Sequence, residues 1–200
     1  MARAFVGITG ASGSAYGVAV LRGMLDAGLD VDGCVSASGR RVLEWECELV
    51  LTGKPSDADA LACDAGPGRL TLFDPDDIGA PPASGSRLEC GAVICPCSMG
   101  TLARIVAGPC DTLVSRAAQV ALKEQRRLVI VPREAPLSRI HLDWLSRAAW
   151  AGAVVLPAAP GFYHRPASIQ DLVDHLAAKV LDSMGVEHGL SKRWEGDAAP

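Results

Sequence analysis

The 200-residue chain has few aromatic side chains, no basic excess and no long apolar run. Phe, Trp and Tyr make up 4% of the residues and the formal net charge is −4. The chain therefore lacks the basic surface with interleaved aromatic side chains that nucleic-acid-binding proteins use. Its apolar runs stay well short of the roughly 18 residues that a membrane-spanning helix needs. We expect neither nucleic acid nor membrane as a partner.

The sequence also lacks the cysteine patterns of a disulfide framework or a zinc site. The cysteines number 7, none of them form a CxxC pair, and the 4 histidines lie far from them in the sequence. The N-terminus enters a strand-like segment too early for the apolar core of a signal peptide. We therefore expect a cytoplasmic protein without a metal site.

What is present is enough apolar sequence, 49% of the residues, for one globular domain with a buried core. Strand-like runs alternate with helical segments about six times, without an internal repeat or a dividing linker. The strand-like runs are 4–8, 30–35, 69–73, 91–94, 128–131 and 153–156. The pattern predicts a doubly wound, mostly parallel α/β sheet in three layers, either flavodoxin-like or Rossmann-like. We expect one domain over 1–185 and a tail over 186–200 that packs on a neighbouring subunit.

The helices differ in how clearly the sequence defines them. The last one is the clearest, because Ser168 and Asp171 form a capping pattern ahead of an apolar stripe and Gly185 ends it. The stretch 40–50 is also helical in pattern. The stretch 51–68 is small, polar and irregular, and predicts no element.

Small, hydroxyl-rich turns follow three of the predicted strands. Gly10, Ala11 and Ser12 follow the first strand, Ser36 follows the second, and 98–101 follows the fourth. Glycine lets a ligand approach the backbone closely, and the first N–H groups of a helix bind anions. Parallel strands end at one edge of a sheet, so these turns predict a single phosphate site. Each turn taken alone is explained equally well as a helix cap.

An Arg–Glu pair framed by two prolines follows the strand 128–131. Arg133 suits bidentate binding of a phosphate, and Glu134 beside it can accept or give a proton. The alternative is an ordinary surface ion pair. Combined with the hydroxyl-rich turns, the pair favours a site for a phosphorylated aromatic cofactor.

Several stretches resemble the flavin prenyltransferase family of the UbiX type. They are GITGASGSAYG at 7–17, APPASGS at 80–86, CPCSMGTLA at 95–103, and the longer stretches 116–142 and 156–185. The resemblance implies a flavodoxin-like subunit assembled into a homododecamer. It implies transfer of a dimethylallyl group from dimethylallyl phosphate to N5 and C6 of reduced FMN, without a metal. The product, prenylated FMN, would serve a UbiD-type decarboxylase.

The same resemblance implies roles for individual residues. The implied FMN contacts are Gly10, Ala11, Ser12, Ser36, Ser98, Met99, Gly100, Thr101 and Arg133, with Arg116 on a helix nearby. The implied contacts of the prenyl donor are Tyr163 and Lys179, supplied by another subunit, together with Ser84 and Trp194. The implied catalytic residues are Glu134, Lys123, Glu46 and Ser12.

These roles agree with the chemistry of an allylic transfer. Charge builds on the phosphate as the allylic C–O bond breaks, and cationic side chains stabilise it. A carboxylate such as Glu134 can move a proton to the phosphate or from the flavin. Tyr163 and Trp194 would help to keep water away from the allylic group.

The sequence departs from the family pattern at three positions. Lys179 stands where an arginine is expected, which keeps the charge but loses the bidentate fork. Gln119 stands where the family commonly has Asp, and Ile78 replaces an aromatic residue found near the prenyl pocket of some members.

Three alternatives remain at this stage. A flavin-dependent cysteine decarboxylase of related fold would also fit the turns, but it carries Pro-x-Met-Asn where this chain has 132–135. A short-chain dehydrogenase would fit the Thr9–Gly13 turn, but its Tyr-x-x-x-Lys is absent, since Val20 and Ala167 stand four residues after the two tyrosines. The third alternative is a protein that binds FMN without transferring a prenyl group.

Overall fold

The computed structural model describes residues 2–190, in which a six-stranded sheet lies between helices. The strands are β1 Arg3–Ile8, β2 Asp30–Val35, β3 Leu70–Phe73, β4 Ala92–Cys97, β5 Leu128–Pro132 and β6 Val154–Val155. The helices are α1 Ser14–Asp26, α2 Ala37–Cys47, α3 Ser56–Ala62, α4 Met99–Ala107, α5 Leu113–Lys123, α6 Arg139–Trp150 and α7 Ile169–Met184, with a short 3-10 helix at Pro81–Ala83.

All strand pairs are parallel, and the order across the sheet is β3-β2-β1-β4-β5-β6. This is the doubly wound order of Rossmann-type folds, in which the chain reverses direction across the sheet between β1 and β4. The predicted fold class is confirmed. Ligands in such sheets bind outside the carboxyl ends of the strands next to the reversal point.

The core lies in two layers, one on each face of the sheet. On one face α1 packs against β1, β2 and β4, and α7 packs against α1 and β5; Leu21, Met24 and Leu181 are almost fully buried there. On the other face α4 and α5 cover β4 and β5 through side chains such as Leu102 and Leu113. Every residue of β4 is buried, which explains why its sequence is a continuous apolar run.

The last helix agrees with its prediction. Ser168 accepts a hydrogen bond from the N–H of Asp171, the reciprocal contact of a capping box is present, and Gly185 ends α7 at φ 71°. The 40–50 helix is displaced, because the Ser36 side chain accepts from the N–H of Gly39 and starts α2 at Ala37.

The expectation that 51–68 is irregular is wrong for Ser56–Ala62, which forms α3. Its buried Leu61 packs into the core on the α1 face. The predicted last strand is shorter than expected, with only Val154 and Val155 paired to β5.

The first residues of the predicted tail lie on their own subunit. Val186 is buried and its N–H donates to the carbonyl of Leu181, and Leu190 packs against the core beside Gly23. Residues 191–200, including Trp194, lie outside the described residues.

Among residues 2–190, no helix has both the length and the apolar character needed to cross a membrane.

Candidate active site

The carboxyl ends of β1, β2, β4 and β5 form one edge of the sheet, here called the carboxyl edge. The turn after β1 and the turn after β4 are joined there by Thr9. Its hydroxyl donates to the carbonyl of Pro96 at 2.7 Å and accepts from the N–H of Ser98 at 2.8 Å. Thr9 is 1% exposed, so both hydrogen bonds are shielded from water. The two turns predicted to bind phosphate are therefore parts of one structure.

The second turn is packed against the first. A Cβ atom added at Gly10 would lie 2.4 Å from the Cβ of Ser38, in the first turn of α2. Only a residue without a side chain fits this approach. The Ser36 side chain is engaged in the cap of α2, with a distance of 3.1 Å to the nitrogen of Gly39.

Glu46 binds the N-terminus of α1. Its carboxylate accepts hydrogen bonds from the N–H of Gly13 at 2.9 Å and from the N–H of Ser14 at 2.8 Å. Desolvation raises the pKa of Glu46, but the hydroxyl of Ser12 and these N–H groups outweigh it, so the pKa lies below its ordinary value. The carboxylate occupies the place that phosphate takes at the first helix of a dinucleotide-binding fold.

The N-terminus of α4 remains open to a ligand. Ser98 caps this helix, because its side chain accepts from the N–H of Thr101 at 3.3 Å and lies 3.1 Å from the Thr101 hydroxyl. The N–H groups of Met99 and Gly100 have no acceptor among residues 2–190. Helix N–H groups in this position, with the helix dipole behind them, suit an anion.

Arg133 reaches the first turn from the end of β5. Its Nε donates to the carbonyl oxygen of Ser12 at 3.1 Å, across the whole width of the β1-β4-β5 edge. Glu134 follows it on the exposed side, and its carboxylate accepts from the N–H of Ala135 at 3.1 Å. The structure thus brings the predicted Arg–Glu pair to the same place as the hydroxyl-rich turns.

Tyr163 and Lys179 lie together on a neighbouring surface. The ring of Tyr163 meets the ring of His175 edge-on, with centroids 6.4 Å apart, and His175 lies one helical turn before Lys179 on α7. His164 stacks on His175 with centroids 4.5 Å apart. Tyr163 is 77% exposed in the single subunit, so its ring is accessible to a ligand or to another chain.

Lys123 and Ser84 lie at the opposite edge of the sheet. Lys123 is the last residue of α5, just before β5 begins, so it lies near the amino ends of the strands. Ser84 is beside it, because a Cβ atom added at Gly85 would lie 2.5 Å from the Cγ of Glu124. A single subunit does not bring these two residues to the carboxyl edge.

The remaining predicted residue, Arg116, lies in the first half of α5 and is partly exposed. The N–H of Leu113 donates to the carbonyl of Pro75, which follows β3, so this end of α5 faces the carboxyl edge. The Arg116 side chain makes no hydrogen bond or ion pair within the described part of the chain.

Sequence reasoning missed two features of this region. It passed over Thr9, although a threonine directly before a glycine-rich turn could have suggested a hydroxyl contact. It also missed His164 and His175, whose stacking with Tyr163 depends on a loop conformation that has no local sequence signal.

The carboxyl edge therefore offers open helix N–H groups, an arginine and a carboxylate within one connected set of turns. That set can bind a phosphorylated ligand and exchange a proton with it. No group of three or more His, Cys, Asp or Glu side chains among residues 2–190 is arranged to hold a metal ion.

Comparisons with known proteins point the same way. A family model described as Flavoprotein matches residues 2–181. The flavin prenyltransferase UbiX of Pseudomonas aeruginosa is 44% identical over 195 residues, which covers 96% of this chain and 93% of that protein.

Two solved structures share the fold over nearly the whole chain. The crystal structure of AnUbiX (PadA1) in complex with FMN and dimethylallyl pyrophosphate superposes with a TM-score of 0.86 and 38% identity, covering 98% of both chains. A dodecameric FMN-dependent UbiX-like decarboxylase from Escherichia coli O157:H7 has a TM-score of 0.84 and 39% identity, covering 97% of this chain and 99% of that one.

The likeness covers the whole set of turns that forms the carboxyl edge. It extends at high identity to proteins named for prenyl transfer to flavin, so the cysteine decarboxylase alternative is not favoured. With its connected turns at the carboxyl edge and its near full-length relatives, the chain belongs to the flavin prenyltransferase family of the UbiX type.

Proposed function

We propose that this protein transfers a dimethylallyl group from dimethylallyl phosphate to reduced FMN, forming prenylated FMN. The observation that carries the proposal is the joining of three predicted elements at one edge. Thr9 ties the first turn to the Ser98 turn, and Arg133 donates to the carbonyl of Ser12 in that first turn. A relative at 44% identity is named for this activity.

The residues present fit a bound FMN. Glu46 already satisfies the N–H groups of Gly13 and Ser14, so the flavin phosphate would go to the N-terminus of α4. There the N–H groups of Met99 and Gly100 are available to it, with the Ser36 hydroxyl and Arg133 at the same edge. Gly10, Ala11 and Ser12 would line the flavin from the β1 side.

Reduced FMN, when bound, supplies the nucleophilic atoms N5 and C6. The chain's own residues act on the donor and on protons. The electron pair of the broken C–O bond goes to the phosphate, where Lys123 and Arg116 would stabilise the charge. Glu134 would carry the proton lost from the flavin to the leaving phosphate. Through the N–H groups of Gly13 and Ser14, Glu46 would hold the turn that carries Ser12 at the reacting side.

The donor site would be shared between subunits of a homododecamer. Lys123 and Ser84 lie at the amino ends of the strands, and Tyr163 and Lys179 lie on an exposed surface. A neighbouring subunit can bring such residues to the carboxyl edge and exclude water there. The dodecameric E. coli relative supports this arrangement. We assign residues 1–185 to the flavin-binding domain. The predicted contact of the tail 186–200 with a neighbour stays a prediction for 191–200, including Trp194, which lie outside the described residues.

Three further parts of the proposal stay predictions from the sequence. The reaction proceeds without a metal ion, the product passes to a UbiD-type decarboxylase, and the protein works in the cytoplasm. The second is tested by adding the product to a UbiD-type decarboxylase prepared without its flavin and measuring decarboxylation.

The transfer is tested by phosphate release. Protein, reduced FMN and dimethylallyl phosphate are mixed without oxygen, with and without a chelator. We expect one phosphate per FMN in both cases, and none when FMN is oxidised or omitted. Dimethylallyl pyrophosphate in a parallel reaction determines which donor Lys179 accepts. FMN binding without release of phosphate from dimethylallyl phosphate, and without release of pyrophosphate from dimethylallyl pyrophosphate, would contradict the proposal.

A further inference from the structure

The loop that carries Ser84 is tied to the sheet by a buried ion-pair network. Asp32 on β2 is 0% exposed. Arg87 binds its carboxylate through two hydrogen bonds, with Nε 2.8 Å from Oδ2 and Nη2 3.2 Å from Oδ1. Arg3 approaches from the other side, 2.9 Å from Oδ1 of Asp32 and 2.8 Å from Asp30. The carboxylate of Asp32 is thus shared between two arginines.

Only one of the two arginines belongs to the loop. The N–H of Arg87 donates to the carbonyl of Ser84 at 3.1 Å, and the hydroxyls of Ser84 and Ser86 lie 3.0 Å apart. The turn between Ser84 and Arg87 is therefore closed on itself and anchored by the side chain of its last residue. Arg3 belongs to β1 and makes no hydrogen bond to this turn.

The same turn is pressed against the end of α5. A Cβ at Gly85 would overlap the side chain of Glu124, and Glu124 forms an ion pair with Lys123. The anchor at Arg87 and the contact at Gly85 together determine where the Ser84 hydroxyl lies relative to the Lys123 ammonium. Both groups are exposed, and Ser84 and Arg87 line a cleft of about 470 Å³.

We infer that Arg87 is a positioning residue for the prenyl donor. Through Asp32 it holds the Ser84 turn against α5, so that the Ser84 hydroxyl and the Lys123 ammonium form one phosphate-binding pair. The two side chains together bind the donor phosphate at the flavin site of a neighbouring subunit. The inference rests on the proposed function, and it adds a residue that contacts neither donor nor flavin. The bidentate ion pair between Arg87 and Asp32 fixes both the distance and the orientation of the guanidinium, whereas a single hydrogen bond fixes only the distance.

The chain offers a matched pair of variants. Arg87→Ala and Arg3→Ala each remove one arginine from Asp32 and leave the other, so neither leaves the buried carboxylate unpaired. Only Arg87→Ala frees the Ser84 turn. We expect it to raise the KM for dimethylallyl phosphate by about tenfold or more, because misplacing a binding group by about an ångström costs up to about 100-fold. Arg3→Ala should leave this KM within about twofold.

Other readouts separate positioning from folding. The kcat at saturating donor and the FMN affinity, measured by flavin fluorescence, should match the wild type in both variants. Arg87→Lys should give an intermediate KM, because lysine keeps the charge but not the fork. Thermal unfolding of the variants reports any general loss of stability.

The outcomes are distinguishable from a failure of the proposed function. Equal KM changes in Arg87→Ala and Arg3→Ala, or no change in either, would overturn the inference while leaving the transferase activity intact. A rise in KM that follows only the loss of thermal stability would overturn it as well. A wild type that neither binds dimethylallyl phosphate by calorimetry nor releases phosphate would contradict the proposed function, and the inference would fall with it.

Discussion

At the scale of single residues, Glu46 does at α1 what a bound phosphate does in many nucleotide-binding folds. Its carboxylate accepts from two helix N–H groups and stabilises the turn that carries Ser12. Burial alone raises the pKa of Glu46, but these hydrogen bonds lower it below the ordinary value of 4.5. A carboxyl group whose pKa is lowered by folding stabilises the fold at pH values above its pKa in the unfolded chain. This stabilisation is lost as the pH falls through its pKa in the folded protein.

We therefore predict that Glu46→Gln weakens the acid sensitivity of the protein. The wild type should lose more stability than the variant between about pH 5 and about pH 3, because only the wild type must protonate Glu46. Urea unfolding midpoints across this range measure the difference. Glu44→Gln, on the same helix and without such contacts among the described residues, serves as the control. Parallel midpoint curves for the wild type and Glu46→Gln would contradict the role of Glu46.

Local sequence signals were sufficient to find the turns but not the contacts between them. Gly10–Ser12 and Ser98–Thr101 stand out because glycine and hydroxyl residues directly after an apolar run are typical of a turn that begins a helix or meets a ligand. The position of Thr9 before a glycine-rich turn suggests a hydroxyl contact, but nothing local identifies its partners, since Pro96 and Ser98 lie far along the chain. The same holds for Glu46, whose partners at Gly13 and Ser14 lie more than 30 residues before it in the sequence.

At the scale of elements, α1 packs against β4 through a glycine. A Cβ atom added at Gly17 would lie 2.2 Å from the carbonyl oxygen of Cys95, and this oxygen belongs to a buried strand that cannot move aside. The close approach of helix and strand places the first turn beside the Ser98 turn. This close approach requires a glycine at position 17, and the pattern of apolar residues in the sequence does not reveal that requirement.

We predict that Gly17→Ala destabilises the protein by about 2–4 kcal/mol, because strand and helix must separate. Gly23→Ala in the same helix is the matched control, since its added Cβ would meet side-chain ends of Leu181 and Leu190 and no backbone atom of the sheet. Its effect should stay within about 1 kcal/mol, helped by the better helix propensity of alanine. Chemical denaturation gives both values. Similar effects of the two substitutions would show that the approach of α1 to β4 is not tight.

The helices also show what sequence patterns can and cannot define. The last helix, α7, was predicted with its bounds, because a capping box, an apolar stripe and a terminal glycine agree. In contrast, α3 is short and rich in Ala and Asp, and Asp57 and Leu61 are its buried residues. So brief an amphipathic pattern falls below the length at which periodicity distinguishes helix from loop.

At the scale of the whole molecule, the subunit exposes several large apolar side chains to solvent. On α6 alone Ile140, Leu142 and Trp150 are 60%, 53% and 92% exposed. Ala148 is the buried residue of that helix. Exposed apolar faces of this kind are typical of subunit interfaces.

We predict that the double variant Ile140→Glu/Trp150→Glu breaks the assembly. Size-exclusion chromatography with light scattering should show species smaller than a dodecamer, and circular dichroism should show folded subunits. Prenyl transfer should be lost with the assembly, because Tyr163 and Lys179 then have no neighbouring site to serve. Arg147→Ala changes an exposed polar side chain on the same helix and should leave the assembly intact. A monomeric variant with full activity would contradict a shared site.

Assembly also explains where sequence reasoning about the site reaches its limit. Resemblance placed Lys123 and Ser84 near the reacting atoms, whereas in one subunit they lie at the amino ends of the strands. A sequence records which residues a family uses, but it does not record which subunit supplies them. The geometry of a single chain therefore separates residues that an oligomer can reunite.

The central claim is most directly tested by the mass of the flavin after reaction. Purified protein is mixed with reduced FMN and dimethylallyl phosphate in the absence of oxygen, and the released flavin is analysed by mass spectrometry. The account predicts a flavin heavier by one C5H8 unit, formed as dimethylallyl phosphate is converted to phosphate. An unchanged flavin mass, with FMN bound and with the pyrophosphate donor also inactive, would contradict it.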